Sequence, residues 1–101
     1  RRAFKARAHH WAGKLDVKVN WLAVRPMRNK WASWSTNGHL HFNADLLDLD
    51  EALWDYVIVH ELLHFYVPNH GKLWKSLMRV HLGSYEAIEQ KLASAKPDIP
   101  Q

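Results

Sequence analysis

His60, Glu61 and His64 stand as H-E-x-x-H, and a third histidine, His70, follows shortly after. On an α-helix each residue turns by about 100°, so positions four apart lie within about 40° of each other on one face. His60 and His64 can then grip one metal ion between them. Glu61, beside the first ligand, can reach a water on that ion. Two histidines and an acid placed this way form the zinc-hydrolase arrangement: the metal acidifies water and polarises a carbonyl, and the acid moves the proton. The chain has no cysteine, which excludes thiolate zinc sites and disulfide frameworks. Any metal must be held by imidazole and carboxylate. The competing reading is three histidines near a helix end, hydrogen-bonded in a core.

Such a helix needs a start, an apolar face and a stop. Asp48 and Glu51 stand at capping-box spacing. Leu53, Tyr56, Val57 and Val67 fall in helical register with His60 and His64. Pro68 lacks an N–H and pushes Val67 out of the α region. The pattern predicts a helix from about Leu49 to Tyr66, then a turn at Pro68-Asn69 that returns His70 to the metal. Glu86 or Glu89, on a later helix, are alternative third ligands; spacing favours His70. His39 and His41 share one face of a predicted strand and form a rival ligand pair, although an exposed sheet face is the plainer account.

The remaining chain must position that helix. Residues 1–13 read as a helix, with Phe4, Ala8 and Trp11 inward, Arg2, Lys5, Arg7, His9 and His10 outward, and Gly13 as the stop. Asp16 to Val24 alternates like a strand. Trp31 to Ser35 is a second, the turn Thr36-Asn37-Gly38 follows, and His39 to Asn43 is the third. Ala44 to Leu47 is a short helical link. Lys72 to Leu82 is a helix whose apolar stripe is Leu73, Leu77 and Val80, with Trp74 and Met78 beside it. Ser84 caps a last helix, Tyr85 to Ala95, with Ala87, Ile88 and Leu92 inward. Residues 96–101 read as a frayed tail. The order predicts an α+β fold: a short three-stranded antiparallel-type sheet packed on the H-E-x-x-H helix, with further helices after it. The 101 residues suit one domain, 1–101.

A hydrophobic share of 48% is that of a globular chain and excludes disorder. No apolar run approaches membrane-spanning length and no signal peptide is visible, so the expectation is a cytoplasmic protein with no membrane partner. The chain opens on Arg1 rather than Met, as a cut-out domain would. The formal charge is +4, much of it in Arg1, Arg2, Lys5, Arg7 and Lys14. Such an excess would attract nucleic acid or an acidic partner; a solvated face that keeps the protein dispersed is the plainer account.

Two blocks resemble the YgjP-like metallopeptidases, predicted zinc-dependent hydrolases related to WLM and SprT-like domains. The first runs Met27-Arg28-Asn29-Lys30-Trp31-Ala32-Ser33-Trp34-Ser35-Thr36-Asn37-Gly38, then Leu40 and Phe42-Asn43. It is similar to that family's Arg-Trp-Gly-Ser-Cys-Ser stretch. The second spans Leu53 to Trp74, with Asp55 to His64 and Asn69-His70-Gly71-Lys72-Leu73-Trp74. The resemblance implies a zincin-like domain, with His60, His64 and His70 as zinc ligands and Glu61 as the catalytic carboxylate. It also places the strand at Trp31, Ala32, Ser33 and Trp34 beside the site as an edge that binds substrate. Lys30, Ala32 and Trp34 depart from the family's Arg, Gly and Cys, and many members have a longer N-terminal half. The His64-to-His70 spacing also matches metzincins, but Val67 stands at their helix-ending Gly.

The expected function is therefore zinc-dependent hydrolysis of peptide bonds in a peptide or protein substrate, through a zinc-bound water that Glu61 activates. His39, His41, Tyr66 and Lys72 are all candidates for the oxyanion donor, and the sequence does not choose among them. The alternative is a non-catalytic, zinc-stabilised basic module that binds nucleic acid or a protein partner. A third possibility is a latent enzyme whose N-terminal segment covers the cleft.

Overall fold

A computed structural model of the chain describes residues 1–95. The elements run α1 (Arg2–Lys14), β1 (Trp21–Arg25), β2 (Ala32–Trp34), β3 (His39–Asn43), a 3-10 turn (Ala44–Asp48), α2 (Glu51–Leu63), α3 (Lys72–Leu82) and α4 (Glu86–Ala95). This is the expected α+β class. The expected tail, 96–101, lies outside the described residues.

α2 is the central element because it is apolar almost all round. Leu53, Trp54, Tyr56, Val57, Ile58, Val59, Leu62 and Leu63 are all buried, and a helix with no polar face must be enclosed on every side. α1, α3, α4 and β2 pack around it. Its N-cap is Asp50, which accepts from the Ala52 amide at 3.3 Å. The Asp48–Glu51 capping box does not form, because Asp48 closes the preceding 3-10 turn and Leu49 is extended. The helix closes at Leu63, ahead of the expected Tyr66. Beyond it the His64, Phe65 and Tyr66 amides bond to carbonyls three residues back, a tighter winding. His64 keeps a helical backbone (φ −64, ψ −18), so its register with His60 survives.

The sheet order is β1-β3-β2. β2 and β3 are antiparallel, with Ala32 opposite Phe42 and Trp34 opposite Leu40. β1 and β3 are parallel, Trp21 to Arg25 facing His39 to Asn43. The expected sheet was of antiparallel type, and β1 departs from it. Only the short turn between β2 and β3 enforces antiparallel pairing; β1 joins the far edge of β3 after a longer connection, which leaves its direction free. β1 is also shorter than the alternating stretch from Asp16, because β3 offers only His39 to Asn43 as partners. Gly38 closes the β2–β3 turn with φ +84, and a Cβ there would lie 2.9 Å from Asn20 Nδ2 and 3.0 Å from the Lys18 carbonyl.

Two polar clamps join these layers. Asp55 of α2 accepts from Arg7 Nη1 at 3.0 Å on both carboxylate oxygens and from Trp11 Nε1 at 2.9 Å. Glu51 pairs with the same guanidinium. Below this clamp Phe4 meets the edges of Phe42 and Trp54, which ties α1 to both the sheet and α2. The second clamp is Asn43, fully buried at the end of β3. Its Nδ2 donates to the Met27 and Lys30 carbonyls at 3.1 and 3.0 Å, and its Oδ1 accepts from the Asp45 amide at 3.0 Å. Its own amide bonds the Trp31 carbonyl at 2.8 Å.

α3 corrects one sequence expectation. Leu73 and Val80 are 61% and 74% exposed, while Trp74 and Met78 are buried. Apolar residues occupy adjacent faces of this helix, and the face that wins is the one carrying the indole needed behind the histidines.

Asp55 accepts three hydrogen bonds from two α1 side chains, Arg7 and Trp11. Asp55→Ala should therefore lower unfolding free energy by about 2 kcal/mol, and its thermal midpoint accordingly. Calorimetry checks this, and an unchanged midpoint would show the clamp to be ornamental.

Candidate metal centre

The last turn of α2 and the loop before α3 bring three imidazoles together. His70 Nε2 lies 3.2 Å from His60 Nε2 and 3.1 Å from His64 Nε2. One ligand atom from each histidine falls within 4.8 Å of the others. Tetrahedral zinc with nitrogen ligands at about 2.0–2.1 Å has a ligand-to-ligand edge of about 3.3 Å, so these separations fit one ion among three nitrogens. They fit mutual hydrogen bonding poorly, since each neutral ring carries a single N–H. His64 Nδ1 lies 3.3 Å from the Val67 carbonyl. A proton there leaves the Nε2 lone pair facing the other rings.

Aromatic side chains fix the ring orientations. Trp34 of β2 stacks on His64, with centroids 6.0 Å apart and planes 9° apart. Trp74 of α3 meets His60 at 5.0 Å and His70 at 4.5 Å. Tyr56, one turn before His60, packs edge-on against it at 5.7 Å. Its hydroxyl donates to Glu89 Oε2 at 2.8 Å. Glu89 is thus engaged by Tyr56, and Glu86 by Arg79; it is His70 that shares the cluster with His60 and His64.

Burial pushes the His60 imidazole down to about 3, with His64 and His70 adding to the push. His64 is also lowered by burial, against the Val67 carbonyl, which raises it. These two rings are neutral at neutral pH and offer lone pairs to a cation. Burial pushes Glu61 up to about 7, and Lys30 opposes that rise. A carboxyl that titrates near neutrality is suited to both taking and returning a proton.

Two openings flank His60. A cavity of ≈ 180 Å³ borders Glu61, Lys30, Trp31 and Ala32. A wider cleft of ≈ 420 Å³ borders His70, Trp74, Lys75 and Tyr85. Of the residues assigned to substrate from sequence, Trp31 and Ala32 line the first cavity, Trp34 covers His64, and Ser33 pairs with His41 inside the sheet. β2 is an edge of the sheet beside α2. Neither opening is lined by the candidate oxyanion donors. His39 and His41 meet Trp21 on the other sheet face, Tyr66 bonds the Leu15 and Asp16 carbonyls, and Lys72 starts α3. α1 lines neither opening; it does not cover the cleft. Trp74, Tyr56 and Lys30 were missed as site residues. Tyr56 stands four before His60 on α2, a spacing that would have found it.

A family model described as YgjP-like, metallopeptidase domain, matches residues 1–95. The chain belongs to this family. The YgjP-like chain is 33% identical over 82 residues to the uncharacterized protein MJ0123 of Methanocaldococcus jannaschii, covering 77% of this chain and 74% of that one. Its fold is similar to the crystal structure of the metallopeptidase zymogen of Methanocaldococcus jannaschii jannalysin. That match has a TM-score of 0.81 and 28% identity, and covers 91% of this chain and 95% of that chain. The metallopeptidase zymogen of Pyrococcus abyssi abylysin shares the fold at a TM-score of 0.79, with 20% identity over 97% and 99% of the two chains. The YgjP-like chain is accordingly a metallopeptidase, an enzyme of peptide or protein substrates that works with a metal ion. These matches lend no support to nucleic-acid binding, and part of the basic excess is spent internally: Arg7 on Asp55 and Glu51, Arg1 on the Val24 carbonyl. No helix among the described residues is long and apolar enough to cross a membrane.

The shifted groups act on stability in opposite senses. Between about 3 and 6.5 the unfolded chain holds a proton at His60 that the folded, metal-free chain rejects, so stability falls as pH drops through that window. Between 4.5 and about 7 the folded chain holds the extra proton at Glu61, so stability falls as pH rises there. Metal-free Glu61→Gln should thus melt higher than the parent at about pH 8, with the gain vanishing near pH 4. Thermal melts across pH read the difference directly.

Proposed function

We propose that this chain is a zinc-dependent metallopeptidase in which His60, His64 and His70 hold the ion and Glu61 is the general base. One observation carries the reading: the Nε2 atoms of His60 and His64 lie 3.2 and 3.1 Å from Nε2 of His70, and Glu61 borders the same cavity as His60. The donor set, all imidazole nitrogen, suits zinc, and three protein ligands leave a fourth position open. Zinc bound there would acidify a water and polarise the scissile carbonyl. Glu61 takes the proton from the attacking water and delivers it to the departing amine nitrogen. Its burial keeps that proton close to energetic balance at neutral pH. Trp34 and Trp74 hold the histidine rings against rotation and exclude water from their flanks. β2 is the outer strand of the sheet, and its outer edge would offer backbone N–H and C=O groups to an extended substrate that adds as a further strand. Residues 1–101 form one catalytic domain in this reading, supported by a family match that spans residues 1–95.

Glu61→Gln should keep its zinc and lose peptide cleavage by at least about a hundredfold. His70→Ala should lose both zinc and cleavage. Metal content by mass spectrometry, paired with a fluorogenic peptide assay, tests the two together. Cleavage retained by Glu61→Gln would remove the assigned base, and unchanged zinc affinity in His70→Ala would remove the third ligand.

A further inference from the structure

Away from the metal centre, α3 carries apolar surface that the fold itself does not use. Leu73 and Val80 are 61% and 74% exposed. Leu77 stands four after Leu73 and three before Val80, so the three share one face of the helix. That face continues into a hollow of ≈ 290 Å³ formed by Leu15, Leu63, Tyr66 and Leu77, with Lys14 and His81 completing it. The Tyr66 ring is 56% exposed yet held in place, because its hydroxyl bonds the Leu15 and Asp16 carbonyls. The hollow therefore has a fixed aromatic wall beside an exposed aliphatic stripe, the pattern of an interaction surface.

Charge decides what such a surface takes. Lys14 of α1 and Leu77 and His81 of α3 border the hollow together, and neither helix contains an aspartate or glutamate. Lys14, Lys72 and Lys75 are exposed and form no ion pair among the described residues; Lys14 lies over the Trp11 ring at 5.1 Å. Asp16, the nearest acid in sequence, lines a different hollow. A second copy of the chain would set the same cations against these and be repelled. An anionic bilayer would match the charge but offers no side chain to enter the hollow. An acidic protein segment offers both.

We propose that this face of α3 and its hollow dock an acidic, amphipathic segment of the protein substrate, outside the part that is cleaved. A leucine-sized side chain of the segment enters the hollow between Tyr66 and Leu77. Further apolar residues at helical spacing cover Leu73 and Val80, and flanking carboxylates face Lys14 and Lys72. Leu63 precedes His64, and Leu77 stands three after Trp74, so a docked segment is held near the metal ligands. It leaves free both openings beside His60, neither of which includes a residue of the hollow. Docking of this kind raises the local concentration of the scissile stretch. The inference rests on the peptide-hydrolase reading and adds how that enzyme selects its substrates.

Two measurements test it, and the first needs neither metal nor turnover. A fluorescein-labelled helical peptide, with leucine at i, i+4 and i+7 and glutamate at the flanking positions, is titrated with the intact metal-free chain and followed by anisotropy. It should bind, weaken as salt rises, and bind at least about tenfold more tightly than the same peptide with lysine for glutamate. Leu73→Glu/Val80→Glu, a double substitution at exposed positions, should weaken it by about tenfold or more. Equal binding of the glutamate and lysine peptides, no loss in the double variant, or no binding at all overturns the proposal. So does binding of the parent, but not the double variant, to phosphatidylglycerol vesicles, which would assign the face to a membrane. A dimer lost in the double variant would assign it to a second copy and overturn the proposal equally.

The second measurement joins the glutamate-flanked sequence through a flexible linker to a fluorogenic peptide that the zinc-loaded chain cleaves. The joined substrate should show a KM about tenfold lower than the peptide alone, at unchanged kcat. Leu73→Glu/Val80→Glu should erase that gain while cleaving the peptide alone like the parent. An unchanged KM overturns the role in substrate selection. A chain that binds the acidic peptide and cleaves neither substrate would sink the hydrolase reading and leave the docking site standing.

Discussion

The site depends on three imidazole rings being brought to one point. His60, His64 and His70 meet at 3.1–3.2 Å through Nε2 of His70, and nothing in the rings themselves favours that meeting. The surrounding structure has to impose it. His60 and His64 are placed by helical pitch alone, but a helix that frays or slides by a turn would separate them from His70. The site therefore depends on α2 being immobile along its axis, and the rest of the fold can be understood as what makes it so.

Enclosure on all sides is the first device. α2 has no water-facing stripe, so any rotation about its own axis would expose leucine, valine or isoleucine at an apolar-transfer cost of roughly 25 cal/mol per Å². The second device is polar and directional. Asp55 receives Arg7 and Trp11 on one flank, and Tyr56 reaches Glu89 of α4 on another. Hydrogen bonds on two flanks resist sliding, which apolar packing resists weakly. His70 reaches the cluster by a different route. It lies in the loop between α2 and α3, where Asn69 Oδ1 accepts from the Gly71 amide at 3.0 Å and Trp74 packs on the His70 ring.

The helix type of α2, the spacing of its histidines and the return of His70 were legible from local rules. Periodicity and a terminating proline are properties of neighbouring residues. The boundaries of α3 were legible for the same reason: Gly71 and Gly83 bracket Lys72–Leu82 in the structure as in the sequence. What was not legible depends on long-range choices. The direction of β1 is set by which edge of β3 it joins, and no short-range signal encodes that. The buried face of α3 could not be chosen from its own residues, since Leu73 and Val80 are as apolar as Met78. The face that is buried carries Trp74, which packs against His60 and His70. The Asp48–Glu51 box looked right in sequence and fails because a 3-10 turn takes Asp48 first, leaving Asp50 as the cap. Lys30 was visible only as a departure from the family's arginine. Its position beside Glu61 needs the Asn43 clamp, and a single asparagine at a strand end carries no such message in sequence.

The same geometry explains why the site sits at one end of α2 rather than along it. The N-terminal turns are wrapped by α1 and the sheet, and the polar groups there are paired. At the C-terminal end the backbone tightens after Leu63, and the loop that follows brings His70 back to His60 and His64. Two cavities reach His60, the smaller one past Glu61 and the wider one past His70. A substrate lying along the β2 edge would pass between them, with its backbone at the metal and a side chain directed into whichever cavity its length and charge suit.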